Sequence, residues 1–192
     1  QIFQTANHLP AGVNAHTHGV MIDSYTNRLY VIVGENYSSI YYSDLGYNTT
    51  DNSWTKIDLT NMPCYNFQEG SQVVNGYPFR DSILFGSDNS GIGAIYRFNK
   101  LDDGNLSYIE SAHEFLPNKF NGTFYCSAEL SRRDLNTPLF MCETHENAML
   151  TEEDNELLNE YHKARVVATM DGVHIVEIWT DDTFGVHPVY IN

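Results

Sequence analysis

"HTHGVMIDSYTNRLYVIVGE", residues 16–35, decides how this chain folds. "RLYVIV" is rich in β-branched and aromatic residues and follows the polar run "DSYTN". That pattern predicts two strands joined by a polar turn. Residues two apart share a strand face, so His16 and His18 point the same way. With Tyr25 and Thr26 at the centre of the turn, His16 falls opposite Glu35 and His18 opposite Val33.

The same pattern returns twice. "EGSQVVNGYPFRDSILFGSDNSGIGAIYRFNK" begins at Glu69, and "GTFYCSAELSRRDLNTPLFMCETHEN" begins at Gly122, with "ARVVATMDGVHIVEIW" after an insertion. Each copy predicts a strand, a turn, a second apolar strand and a polar loop. A third strand and a last one near Trp54, Tyr108 or Ile178 complete the unit. The starts recur about every 50–55 residues, a spacing typical of propeller blades. The repeats run approximately over 12–62, 66–118 and 120–182, within a single β-propeller-like domain covering 1–192. "TEEDNELLNEYHKA" (Thr151–Ala164) reads as one short helical insertion or an acidic loop. "IFQTANHL" at the start fits the last strand of a preceding blade, and "GVHPVYIN" at the end the first strand of a following one. The chain opens at Gln1 with no basic-then-apolar leader, and we expect it to be part of a longer chain.

Composition narrows the function classes. Hydrophobic residues make up 42% and aromatics 13% of 192 residues, which suffices for a real core and excludes a disordered composition. Ten basic residues stand against 25 acidic ones, a formal charge of −15. Such a surface repels phosphate backbones and anionic lipid, so no nucleic-acid partner is expected. No apolar run approaches the roughly 18 residues of a membrane span. Three cysteines are too few for a disulfide framework. Folding the third repeat about Asp134 pairs Cys126 with Cys142; buried thiols are the expectation and a cross-strand bridge the alternative.

"IYYSDLGYNTTDNSWTKI" (40–57) resembles the Asp-box of BNR repeats, S-x-D-x-G-x-T-W, through Ser43, Asp44, Gly46 and Trp54. Here the aspartate directly follows the serine, and extra residues precede the tryptophan. "ATMDGVHIVEIW" is a degenerate echo with Asp171, Gly172 and Trp179. The opening hairpin is also similar to hairpins of sialidase-like propellers, including those of phage tail and surface-glycan proteins. The resemblance implies an all-β fold: a β-propeller of about three to four four-stranded antiparallel blades, as an incomplete ring or a small closed one. It also implies that Asp44 and Asp171 are structural turn residues. In such a turn the aspartate bonds its own backbone, the glycine takes positive φ, and the tryptophan packs under the hairpin. The family binds its ligands at the opposite rim.

Chain direction gathers His16, Glu35, Glu69, Asp88, Glu143 and His145 at that rim, with His18 and Tyr37 beside them. Rim carboxylates Glu35, Asp88 and Glu143 are the catalytic candidates, since a carboxylate pair can cleave a glycosidic bond. Tyr37, Tyr65, Phe67 and Tyr125 could stack on sugar rings. His16, His18 and Glu35 form a possible facial set for a divalent cation, and Glu35, Asp88 and Glu143 a calcium alternative. The arginine clamp of true sialidases is not expected, because Arg28, Arg80, Arg132 and Arg133 fall in turns at the other end. Phosphate-loop, nucleophile-elbow and C-x-x-C motifs are absent from the sequence.

These readings predict a non-catalytic, sialidase-like module that recognises a surface glycan or partner protein. The resemblance places it in a phage tail or cell-surface assembly, extracellular or on a virion, in which it could form a homo-oligomer. A glycan-degrading enzyme, either glycosidase or lyase, and a purely structural propeller scaffold are the alternatives.

Overall fold

The computed structural model describes residues 2–35, 37–57, 72–90, 94–114, 123–130, 138–146 and 164–181. Among the described residues a one-turn helix, α1 (Thr5–His8), precedes twelve strands. The first antiparallel meander is β1 (Ala15–Asp23), β2 (Arg28–Glu35), β3 (Ser39–Ser43) and β4 (Thr55–Lys56). The second is β5 (Gln72–Pro78), β6 (Ser82–Ser90), β7 (Ala94–Lys100) and β8 (Leu106–Glu114). The third is β9 (Thr123–Leu130), β10 (Leu139–Glu146), β11 (Ala164–Thr169) and β12 (Ile175–Asp181). The second and third meanders are hydrogen-bonded together where β6 meets β9, at Asn89–Phe124 and Ser90–Thr123. The fold is therefore mostly β, built of antiparallel four-strand meanders, and among the described residues the sheets do not close on themselves.

The meanders pack through alternating apolar faces. Tyr30, Ile32, Ile40 and Tyr42 of the first meet Ile83, Phe85, Tyr96 and Phe98 of the second in the main core. Phe85 and Phe98 make an edge-to-face pair with centroids 5.5 Å apart. Each such fully buried side chain contributes roughly 1.5–3 kcal/mol by leaving water. Burial also pushes the Tyr30 hydroxyl up to about 12, so it stays neutral throughout the physiological range. A smaller cluster of Phe79, Leu84, Ile95 and Leu139, with Tyr77 and Ile175 against it, joins the second meander to the third.

The first strand of every meander carries a β-bulge. In β1 the extra residue is His18, between Thr17–Val33 and Gly19–Ile32. In β5 it is Val74, between Val73–Ser87 and Asn75–Gly86. In β9 two residues, Ala128 and Glu129, face Met141. A bulge shifts the register beyond it by one, and in the first meander this corrects the expected pairs His16–Glu35 and His18–Val33. His16 lies opposite Gly34, and Glu35 opposite Ala15. In the third meander Phe140 pairs with Leu130, two positions off the register expected about Asp134. Beyond the bulge Cys126 lies opposite Glu143 and Cys142 opposite Ser127, so the two cysteines are not the directly opposed pair of the expected register.

The first residues form α1 and not a strand. The N-terminal segment instead covers the outer face of the first meander, where Phe3 and Leu9 pack on Val31, Val33 and Tyr41. Tyr41 Oη donates to the His8 carbonyl at 2.9 Å, and the Asp51 carboxylate accepts the Gln4 amide at 2.6 Å. The expected helical insertion falls at 151–163, outside the described residues; Ala164, read as its end, opens β11. The closing "GVHPVYIN" also falls outside them.

Candidate functional site

The strands present two ends, and the two differ in chemistry. One end collects the hairpin turns, and local carboxylates build them. Asp23 Oδ1 accepts the Tyr25 amide at 3.0 Å and Oδ2 accepts the Thr26 hydroxyl at 2.7 Å, while Asn27 takes positive φ to close the loop. Asp171 Oδ1 accepts the Val173 and His174 amides, each at 2.8 Å. Its Oδ2 lies 2.7 Å from His174 Nδ1. The His174 ring bond, then the two amides, hold the Asp171 carboxyl far below the usual carboxylate range. Asp103 accepts the Asn105 amide in the β7–β8 turn in the same way.

All three third-to-fourth-strand turns place a glycine at positive φ: Gly46 at 50°, Gly104 at 94° and Gly172 at 75°. The sequence reading singled out Gly46 and Gly172 and missed Gly104, although "DDGN" carries the turn signal.

The first of these turns is bonded by a different residue from the one expected. Its backbone is bonded by Ser43, whose Oγ accepts the Leu45 amide at 3.3 Å and the Thr49 hydroxyl at 3.1 Å. Asp44 turns outward and accepts from Arg28 Nε at 2.5 Å. Trp54 packs against the Val31, Val33 and Tyr41 cluster of its own meander. Its indole N–H donates to the Ile2 carbonyl at 2.6 Å, and Phe3 meets its ring edge-on. The long loop between Gly46 and Trp54 lets the indole reach the N-terminal segment as well. Trp179 lies in β12 opposite Val166.

This end also ties the first meander to the second. Arg28 donates to the Leu101 and Asp102 carbonyls at 3.1 and 3.0 Å, and Tyr42 Oη to the Asp103 carbonyl at 2.8 Å. Lys100 Nζ lies 2.7 Å from Asp23 Oδ2 and also donates to the Phe79 carbonyl.

The opposite end carries the candidate recognition residues. The His16 and His18 rings stand 4.6 Å apart at 43°, so the structure does bring this pair together. His16 is exposed; His18 is half-buried and lies flat over β2. Gly34 makes that seat possible, since a Cβ there would stand 2.2 Å from His18 Cε1. Tyr37 follows β2 at the same end, and its hydroxyl accepts from Lys56 Nζ at 2.5 Å.

The remaining candidates are placed by their strands. Asp88 lies in β6 opposite Gln72. Glu143 lies in β10 between Cys126 of β9 and Arg165 of β11. His145 lies opposite Phe124, which itself pairs with Asn89. The β6–β9–β10 register therefore brings Asp88 within one step of the row that holds His145. Tyr125 lies opposite Thr144. The His16–His18–Glu35 group belongs to the first meander, which shares no strand pairing with β9 or β10. Glu69, Tyr65 and Phe67 lie outside the described residues. Among the described residues no three histidine, cysteine or carboxylate side chains converge as a metal site would require. No helix among them is long and apolar enough to cross a membrane.

No protein-family model, no curated protein and no solved structure matches this chain.

Proposed function

We propose that the chain is a non-catalytic recognition module of the sialidase-like propeller type, binding a surface glycan or partner protein at the strand end that carries His16 and His18. The contrast between the two ends carries this reading. Asp23, Arg28, Tyr42 and Lys100 are engaged in holding meanders together at the turn end. The other end offers an exposed imidazole beside a half-buried one, with Tyr37 and Lys56 nearby. Aromatic rings and polar edges at such a rim suit the apolar faces and hydroxyls of sugars. The recurring first-strand bulges and positive-φ glycine turns support a repeat built of equivalent blades. The extracellular or virion-surface setting rests on the Asp-box resemblance.

Incubation with a panel of bacterial surface polysaccharides tests this reading, with product size followed by mass spectrometry. Intact chains retained by the protein are expected, and His16→Ala should reduce retention while leaving the fold unchanged. Shortened chains would replace the reading with a glycan-degrading enzyme acting through Glu35, Asp88 or Glu143. Neither retention nor shortening would leave a structural scaffold.

A further inference from the structure

A cleft of about 520 Å³ opens at the turn end, where turns from all three meanders meet. Its size suits a small molecule. Arg80 and Asp81 come from the β5–β6 turn, Arg97 and Asn99 from β7, and Asp171 from the β11–β12 turn. Tyr25 of the β1–β2 turn stands at its side, and Phe79 supplies apolar wall.

The charge balance inside the cleft differs from that of the whole chain. Two of only ten basic residues line it, in a protein of formal charge −15. One of its two carboxylates is already engaged. Asp171 is held by two amides and by His174. Asp81 is exposed; its backbone carbonyl accepts the Lys100 amide at 3.0 Å, and its charge favours the Lys100 ammonium. Arg80 is exposed at the mouth and Arg97 is half-buried. A guanidinium has five N–H donors in a planar fork, so it can hold a structural partner and still offer donors to a ligand. That fork matches the oxygens of a carboxylate or phosphate.

We propose that this cleft binds a small ring-sized ligand bearing one oxyanion, with Arg80 and Arg97 holding the anion and Tyr25 and Phe79 flanking the ring. The site lies at the opposite end from His16 and His18, so it stands or falls separately from the recognition reading above.

Calorimetric titration of the whole chain with benzoate, phenyl phosphate and benzyl alcohol tests it. At least one anion should bind with a dissociation constant near or below about 1 mM, and the neutral alcohol should not. Preference for benzoate or for phenyl phosphate assigns the oxyanion. Arg80→Ala, in an exposed turn, should weaken binding roughly fivefold. Arg97→Lys keeps the charge and loses the fork, and should weaken it as well. Polysaccharide retention should be untouched by Arg80→Ala. Failure of both anions to bind, equal binding of benzyl alcohol, or indifference to Arg80→Ala would overturn the proposal.

Discussion

Lys100 Nζ lies 2.7 Å from Asp23 Oδ2, with the lysine side chain 5% exposed and the aspartate 0%. The pair joins the end of β7 to the end of β1, across 77 residues of chain. Burial lowers the Lys100 pKa, and the hydrogen bond and charge of Asp23 act against that shift. A buried charge left without its partner is costly, whereas removing both partners is far milder. Asp23→Asn is therefore expected to destabilise the protein by about 3 kcal/mol. Adding Lys100→Met should restore a substantial part. Urea unfolding of the wild type, the single and the double variant measures this; a double variant no better than the single would refute the buried-charge account.

The glycine turns lock neighbouring meanders, and the lock is steric. A Cβ on Gly104 would stand 2.3 Å from the Tyr42 ring, and one on Gly172 would stand 2.7 Å from Phe79. Both glycines also hold positive φ. Gly12 holds positive φ too, at 83°, but in open space. Gly12→Ala should thus cost only the backbone strain, about 1 kcal/mol. Gly104→Ala should cost roughly 2–4 kcal/mol, because strain and overpacking act together. Thermal midpoints of the two variants, read side by side, separate the contributions.

The depressed Asp171 carboxyl makes the β11–β12 turn sensitive to acid. Its folded pKa lies below the unfolded value of about 3.9, so its stabilisation is present above that value. It is lost as pH falls through the folded pKa. Asp171 is half-exposed, and solvent screening keeps the effect to about 1 kcal/mol. Asp171→Asn should be less stable than the wild type at pH 7, with the gap narrowing below about pH 4. Amide exchange at Val173 and His174 across that range reports the turn directly.

Gly34→Ala should displace the His18 ring, since the new methyl would occupy its seat. The ring is the movable end of a side chain, so the fold should survive with a cost of about 1 kcal/mol. The expected readout is a shift of the His16 and His18 ring resonances, accompanied by weaker glycan retention. Unchanged retention would remove His18 from the recognition surface. Zinc titration of the same resonances tests the divalent-cation alternative, and retention that vanishes on chelation would establish it.

Cys126 and Cys142 occupy neighbouring register rows and do not face each other. Successive rows alternate between sheet faces. Both thiols are expected to take an alkylating reagent in denaturant without prior reduction. A mass lower by two labels would show a bridge and a different register.

The strand and turn alternation of the first hairpin was legible because its determinants are local. Asp23 bonds residues two and three positions on, and Asp171 does the same in its own turn. Short-range bonds of this kind need no other part of the chain. The bulges are not legible in strand periodicity, which describes an uninterrupted ladder; Gly19 and Gly76, within two residues of two of them, are the available signal. In the first meander that single extra residue moved Glu35 away from His16; in the third, Cys142 misses Cys126 because the ladder starts from Phe140–Leu130, two positions off the expected register.

By itself the sequence determined an all-β chain of antiparallel strands, since strand periodicity and turn chemistry are encoded over a few residues. Only the tertiary structure decided what each turn and edge touches. Trp54 reaches Ile2, Arg28 reaches Leu101, and Lys100 reaches Asp23. Such contacts join residues tens of positions apart. They depend on how the meanders pack, which short-range periodicity does not encode.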